Sequence, residues 1–131
     1  MSQQLRIVVI DDDQGVLKAL GLVFQTLGHQ ASLFNTGGDA VAYLAANPRV
    51  DVVVSDLRMP GMDGTEVLRR LRQSHPNIPV VIMSGHATSN DRATLVALGA
   101  RAVLSKPFAP AELLGLVDVG ARSIERKEKV A

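Results

Sequence analysis

The sequence predicts a doubly wound α/β fold, in which one parallel sheet carries helices on both faces. Five short apolar runs rich in Val, Ile and Leu have the length of strands, and segments with helical spacing separate them. The connections are too long for hairpins, so each must be a right-handed crossover through a helix. This alternation of strand and helix is typical of a parallel sheet covered on both sides.

The predicted strands are residues 5–10, 31–34, 50–54, 80–83 and 102–104. The first, third and fourth are almost continuously apolar, as expected of strands that are buried on both faces of a parallel sheet.

The first helix is indicated by apolar residues three and four positions apart, namely Val16, Leu20, Val23 and Leu27. Gly28 follows them and is a suitable C-terminal stop. Residues 39–46 and 65–73 predict the second and third helices.

The fourth helix is predicted to begin at Ser89 or Asn90, either of which is a common N-cap, and to end at Leu98. A fifth opens at Pro110, because proline suits the first turn of a helix.

The composition indicates one self-contained domain. The chain has 131 residues, 47% hydrophobic and 21% charged, with a net charge of +1 and no cysteine. Disulfides, thiolate zinc sites and cysteine nucleophiles are therefore excluded. No excess of Lys and Arg points to direct nucleic-acid binding, and no apolar stretch is long enough for a membrane span. We expect a cytoplasmic domain over residues 1–121, with 122–131 as the end of the last helix or the start of a linker.

Polar residues follow four of the predicted strands at the point where each strand ends. These segments are Asp11-Asp12-Asp13, Ser55-Asp56, Ser84-Gly85-His86 and Ser105-Lys106-Pro107. The carboxyl ends of parallel strands lie along one edge of the sheet, where such folds bind ligands. We therefore expect these side chains to meet.

Clustered carboxylates favour a magnesium and phosphate site. Carboxylates this close cannot all stay ionised unless a cation offsets their repulsion, and hard oxygen ligands suit Mg²⁺. Lys106 would add a positive charge for a phosphoryl oxygen, and Ser84 a hydroxyl donor. Each residue alone has an ordinary structural explanation, and for Asp13 we prefer a helix N-cap. The functional interpretation depends on four strand ends supplying complementary groups.

Four motifs at these strand ends carry a family resemblance. They are Ile7-Val8-Val9-Ile10-Asp11-Asp12, Asp56-Leu57-Arg58-Met59-Pro60-Gly61-Met62-Asp63-Gly64, Met83-Ser84-Gly85-His86-Ala87 and Lys106-Pro107-Phe108. With these motifs in this order at its strand ends, the chain resembles a response-regulator receiver domain of two-component signalling over nearly its whole length. The resemblance implies a (βα)5 flavodoxin-like fold with strand order 2-1-3-4-5.

The resemblance also implies roles for individual residues. Asp56 would accept a phosphoryl group from a phosphohistidine, Ser84 would bond that group, and Lys106 would be the family's lysine. Asp11, Asp12, Asp56 and the backbone carbonyl of Arg58 would hold Mg²⁺. Beyond phosphotransfer to itself and loss of that phosphoryl group, the domain would not be an enzyme.

The implied partners are a sensor histidine kinase or phosphotransfer protein, and a downstream protein or output domain. The latter would bind the face of the fourth helix, fifth strand and fifth helix, and a phosphorylation-dependent homodimer is a further expectation. Val103 stands where receivers usually have Tyr or Phe. Its small side chain puts the usual aromatic signal in doubt, so output through loop and helix shifts or through changed dimerisation stays open.

Three alternatives use the same fold or motif. A haloacid-dehalogenase-type phosphatase also has an Asp-rich segment after its first strand, but Gly15 stands where that motif prefers Thr or Val. A flavodoxin-like electron carrier needs a phosphate loop rich in Ser, Thr and Gly, whereas the aspartates at 11–13 would repel the phosphate of FMN. A pseudo-receiver would keep the fold as a binding module without phosphorylation.

Overall fold

The computed structural model of the protein describes residues 4–106, 108, 111–113 and 115. Its strands are β1 (Arg6–Ile10), β2 (Gln30–Phe34), β3 (Val52–Asp56), β4 (Val80–Ser84) and β5 (Ala102–Ser105). Its helices include α1 (Gln14–Thr26), α2 (Gly37–Ala46), α3 (Gly64–Ser74) and α4 (Ser89–Ala97). Residues 111–113 and 115 are also helical, whereas the predicted helix start at Pro110 and the tail 122–131 lie outside the described residues.

The sheet has five parallel strands in the order β2-β1-β3-β4-β5, which confirms the expected topology. β1 lies between β2 and β3, so the strand order changes direction at this point. The crevice at such a switch point, beyond the carboxyl ends of the strands, is the usual ligand site of an open α/β sheet. The topology therefore places the ends of β1 and β3 side by side.

Two apolar clusters cover the two faces of the sheet. On one face, α1 buries Leu17, Leu20 and Phe24 against Ile7 and Val9. On the other face, α2, α3 and α4 pack on alternate strand residues. This second cluster includes Ala40, Leu44, Val67, Leu68, Leu71 and Leu95. Because the central strands are buried on both faces, their sequences are continuously apolar.

Three strands continue past their predicted carboxyl ends, β5 by one residue to Ser105, and β3 also begins two residues later than predicted. β3 begins at Val52 and ends at Asp56, and β4 continues through Ser84. Asp56 is the register partner of Met83, and Ser84 that of Ser105. The ladder is made by backbone groups, so a polar side chain does not end it. Both candidate site residues are therefore anchored within the sheet.

The first helix begins as predicted. Asp13 is the N-cap of α1, where its Oδ1 accepts hydrogen bonds from the backbone N–H groups of Gly15 and Val16 at 2.8 and 3.2 Å. After the helix, Gly28 has a φ of 86°, a value that favours glycine, so the predicted stop is confirmed.

The other three helix starts differ from prediction, α3 by one residue, since it begins at Gly64. The N-cap of α4 is Thr88, not Ser89 or Asn90, because Thr88 and Asp91 bond each other's backbone N–H in a capping box. α2 begins at Gly37, two residues earlier than expected, since the Thr36 hydroxyl accepts from the N–H of Asp39.

Candidate functional site

The carboxyl edge of the sheet brings one lysine against two aspartates. Asp11 directly follows β1, Asp56 ends β3 and Lys106 follows β5. The Lys106 Nζ donates to Asp11 Oδ2 at 3.0 Å and lies 3.4 Å from Asp56 Oδ1. The prediction that residues from separate strand ends meet is thus confirmed for these three.

Asp12 completes an acidic cluster with Asp11 and Asp56. One carboxylate oxygen from each residue lies within 4.8 Å of the other two. Asp11 is buried, Asp56 is partly buried and Asp12 is exposed, so the cluster is open to solvent on one side. The donor set is all oxygen and suits a hard divalent cation.

Backbone N–H groups orient the two carboxylates that face Lys106. Asp11 Oδ1 accepts from the N–H of Asp13 at 2.9 Å, and Asp56 Oδ1 accepts from the N–H of Leu57 at 3.0 Å. Within the described part of the chain, no hydrogen bond reaches Asp56 Oδ2. One oxygen of Asp56 is therefore held while the other is available.

Burial and charge shift the protonation equilibria of the cluster. Burial, followed by the nearby charge of Asp11, raises the pKa of the Asp56 carboxyl, although Lys106 and the Leu57 N–H act in the opposite direction. Burial alone would lower the pKa of Lys106, but its hydrogen bond to Asp11 and the charges of both aspartates raise it. The site therefore favours the protonated form of Lys106, and it makes ionisation of Asp56 less favourable than ionisation of an exposed aspartate.

Ser84 lies at the same edge but does not bond Asp56. Its side chain is buried, and its Oγ accepts from the backbone N–H of His86 at 3.2 Å. Its carbonyl oxygen accepts from the N–H of Lys106 at 2.8 Å, which connects β4 to the lysine. Binding of a phosphoryl group by the Ser84 hydroxyl stays a prediction.

The Arg58 side chain points away from the acidic cluster. It is exposed, and its guanidinium lies 3.7 Å from Asp91 in the first turn of α4. The role of its backbone carbonyl as a metal ligand stays a prediction.

A close backbone contact at Gly64 was not predicted. A Cβ added to Gly64 would lie 2.5 Å from the carbonyl oxygen of Asp56 and 2.9 Å from the Cα of Leu57. The Gly64 N–H also donates to the Leu57 carbonyl at 2.8 Å. The start of α3 is thus packed directly on the backbone of the candidate acceptor. The only sequence signal is the Asp63-Gly64 pair, in which Asp63 is the N-cap.

Comparison with known proteins identifies the family. The family model described as "Response regulator receiver domain" matches residues 7–118. This chain belongs to that family. The match supports the receiver interpretation over the phosphatase and electron-carrier alternatives.

Curated relatives are regulators that are longer than this chain. It is 35% identical over 131 residues to the transcriptional regulatory protein FixJ of Bradyrhizobium diazoefficiens, covering 98% of this chain and 62% of that protein. It is 36% identical over 110 residues to the DNA-binding transcriptional regulator NtrC of Salmonella typhimurium, covering 84% of this chain and 23% of NtrC. The chain thus spans less than two thirds of either relative.

The fold is that of solved receivers. A response regulator receiver domain protein (CheY-like) from Methanospirillum hungatei superposes with a TM-score of 0.88 at 24% identity, covering 95% of this chain and 99% of that one. The flavodoxin-like receiver fold is confirmed. This protein is a receiver domain of two-component signalling. In the described residues, no helix is long and apolar enough to cross a membrane.

Proposed function

We propose that Asp56 is the phosphoryl acceptor of this receiver domain. The observation that carries the proposal is that Asp56 alone combines membership of the acidic cluster, contact with the Lys106 ammonium and an oxygen without a hydrogen bond. Asp11 is more deeply buried, with 1% of its side chain exposed against 13% for Asp56. Asp56 is therefore the carboxylate that a phosphoryl donor can reach.

The proposed step is an in-line displacement at phosphorus. An oxygen of Asp56 forms a bond to phosphorus while the P–N bond of a phosphohistidine breaks, and its electron pair stays on the imidazole nitrogen. The product is an acyl phosphate on Asp56. Lys106 lies next to the acceptor oxygens, where its charge stabilises the negative charge of the transferring group.

The acidic cluster fits Mg²⁺. Asp11, Asp12, Asp56 and the Arg58 carbonyl would hold the ion as oxygen ligands. When bound, Mg²⁺ supplies the positive charge that offsets the repulsion between these carboxylates and the incoming phosphoryl group. Lys106 alone cannot do so, since one ammonium faces three carboxylates that the transfer makes still more negative.

An open pocket beside the cluster offers room for the donor. It measures about 490 Å³ and is lined by Val16, Gly85, His86, Lys106 and Phe108. We infer that a histidine of a sensor kinase or phosphotransfer protein approaches through it. Ser84, at the base of the Gly85-His86 loop, would then reorient its hydroxyl toward the new phosphoryl oxygens.

The output surface is proposed to be the face formed by α4, β5 and the helix that follows. On α4, Val96 is 57% exposed, whereas Leu95 is buried in the core. Arg92 of α4 donates to the Val103 carbonyl at 2.9 Å and also to the Ser105 hydroxyl. These hydrogen bonds connect α4 to β5. The part of the predicted fifth helix that follows residue 115 lies outside the described residues.

We propose that a downstream protein or an output domain binds this face in the cytoplasm, without direct contact of the receiver to nucleic acid. A phosphorylation-dependent homodimer through the same face is an alternative route to output. The proposed domain limits are residues 1–121.

Intact-mass measurement after incubation with acetyl phosphate and Mg²⁺ tests the acceptor assignment. We expect one added phosphoryl group on the wild-type chain and none on Asp56→Asn or without Mg²⁺. Asp39→Asn, an exposed aspartate in the first turn of α2, is the matched control and should be modified like the wild type. An unmodified wild type would instead favour a pseudo-receiver, and modification of Asp56→Asn would move the acceptor elsewhere.

A further inference from the structure

A second cavity lies at the amino-terminal edge of the sheet, at the opposite ends of the strands from Asp56. It measures about 290 Å³, and its lining includes Arg6, Gln30, Tyr43, Asn47, Arg49 and Val50. Arg6 and Gln30 are register partners at the starts of β1 and β2, and Arg49 and Val50 precede β3. The cavity is therefore separate from the phosphoryl-acceptor site.

Within the described part of the chain, two arginines of this cavity have no partner for their charge. Elsewhere in the described chain, arginine side chains are engaged: with carboxylates at Arg58, Arg69 and Arg70, with carbonyl groups at Arg72 and Arg92, and with a further partner at Arg101. Among the residues that the structure describes, only the guanidinium groups of Arg6 and Arg49 lack a hydrogen bond or ion pair. Both line the same cavity.

Among the described residues that line the cavity, none carries a carboxylate. The nearest in sequence, Asp51, is not part of the lining, and its Oδ2 accepts from the backbone N–H of Arg6 at 2.7 Å. The Tyr43 carbonyl at the end of α2 is covered, because the Asn47 side-chain amide donates to it at 3.0 Å. Among the described lining residues, Arg6 and Arg49 are thus the only ones with charged side chains.

The remaining lining adds neutral donors and an apolar wall. Tyr43 OH accepts from the Ser32 hydroxyl at 3.3 Å, which leaves its own proton free to donate, and Gln30 contributes an amide. The Tyr43 ring, Pro48 and the buried Val50 form the apolar side. Two guanidinium groups match a doubly charged oxyanion, and the wall matches a ring or short hydrocarbon attached to it.

We propose that this cavity binds a small phosphate monoester with an aromatic or aliphatic body. The phosphate group lies between Arg6 and Arg49, and the body packs on Tyr43 and Val50. The ligand is bound without chemical change.

Amide chemical-shift titration of ¹⁵N-labelled protein in the absence of Mg²⁺ tests the proposal, with phenyl phosphate, inorganic phosphate and phenol as probes. We expect saturable shifts of the backbone amides of Asn47, Arg49 and Val50, tighter binding of phenyl phosphate than of inorganic phosphate, and no saturable binding of phenol. Removing one exposed guanidinium should weaken phenyl phosphate binding about threefold to tenfold. Higher ionic strength should weaken it as well.

The double variant Arg6→Gln/Arg49→Gln should show no saturable amide shifts with phenyl phosphate. Arg69→Gln/Arg70→Gln, which removes the same charge from exposed arginines of α3, is the matched control and should bind like the wild type. Arg49 lies outside the helices and strands, between α2 and β3, so Arg49→Gln alone is the variant to measure if the double variant does not fold. Equal affinity in the arginine variants, absence of saturation, or shifts confined to the Asp56 edge would overturn the proposal.

Discussion

Asp11 and Asp56 share one ammonium group but differ in what surrounds them. Asp11 receives the shorter contact from Lys106, 3.0 Å against 3.4 Å, and is almost fully buried. Asp56 lies nearer to solvent and close to a second negative charge, and burial and that charge raise its pKa. The ionised form of Asp56 is therefore destabilising in the metal-free folded protein.

Asp56→Asn should consequently stabilise the metal-free protein. A carboxyl whose folded pKa is raised lowers stability as pH increases from its ordinary value of 3.8 through the folded pKa, and this cost is complete above it. We expect the variant to have a higher urea midpoint than the wild type at pH 7, with the difference vanishing below pH 3.8. A lower midpoint for the variant at pH 7 would mean that the contact with Lys106 outweighs burial.

Lys106 should stabilise the fold with the opposite pH dependence. Its folded pKa is raised above 10.5, so its contribution is fully present below pH 10.5 and is lost as pH rises through the folded value. Lys106→Met should lower the free energy of unfolding at pH 8 by about 1–3 kcal/mol, since 27% of the side chain is exposed and a fully buried pair would cost more. Urea titrations from pH 8 to 11 measure the difference.

The exposed Lys18→Met on α1 is the control for that titration, and its effect on stability should stay small throughout. A Lys106→Met difference that did not shrink at high pH would show that the side chain acts through packing and not through its charge.

The start of α3 packs directly on the backbone of Asp56. Only the absence of a side chain at Gly64 lets the helix approach the Asp56 carbonyl. The N-cap Asp63 bonds the Glu66 N–H at 3.0 Å and fixes the direction of the first turn. A small displacement of this turn therefore acts directly on the position of Asp56.

Gly64→Ala should be destabilising and should slow phosphorylation. The added methyl would overlap backbone atoms that cannot rotate away, so we expect a loss of about 2–3 kcal/mol and slower modification by acetyl phosphate. Gly38→Ala in α2 is the matched control. A Cβ there meets nothing within 4 Å, and alanine favours helix, so stability should rise slightly. If Gly64→Ala and Gly38→Ala had the same stability and the same rate of modification, the backbone contact at Gly64 would be excluded as the cause of the expected loss.

The whole domain should gain stability from Mg²⁺, because the folded sheet is what assembles the three carboxylates. We expect the free energy of unfolding to rise with Mg²⁺ concentration, by about 2.7 kcal/mol at one hundred times the dissociation constant. Thermal unfolding followed by circular dichroism measures the increase. Asp12 is exposed, and Asp12→Asn should abolish the stabilisation by Mg²⁺. The control variant Asp39→Asn should be stabilised by Mg²⁺ like the wild type. An undiminished increase in Asp12→Asn would remove Asp12 from the ligand set.

The sequence predicts the architecture well because continuous apolar runs mark buried parallel strands. All five strands, the first four helices and the meeting of Asp11, Asp56 and Lys106 follow from that pattern and from strand direction. The strand ends were less predictable, since backbone ladders continue through polar residues such as Ser84. The α4 cap was ambiguous because Thr88 is followed by two further residues that can cap a helix.

Other features of the structure depend on three-dimensional positions that the sequence pattern does not predict. The preference of Lys106 for Asp11 over Asp56 is a difference of 0.4 Å that no spacing rule contains. The contact at Gly64 depends on where one carbonyl oxygen points. The two unpartnered arginines belong to residues 43 positions apart, which only the sheet brings together.

The hydrogen bond from Lys106 to Asp11 joins residues 95 positions apart, and two strands lie between β1 and β5 in the sheet. During synthesis the amino-terminal strands emerge first, so the aspartates are present well before the lysine that faces them. A partly synthesised chain that ends before β5 therefore has the aspartates without the ammonium that faces them. The ion pair between Lys106 and Asp11 can form only when the last strand has joined the sheet.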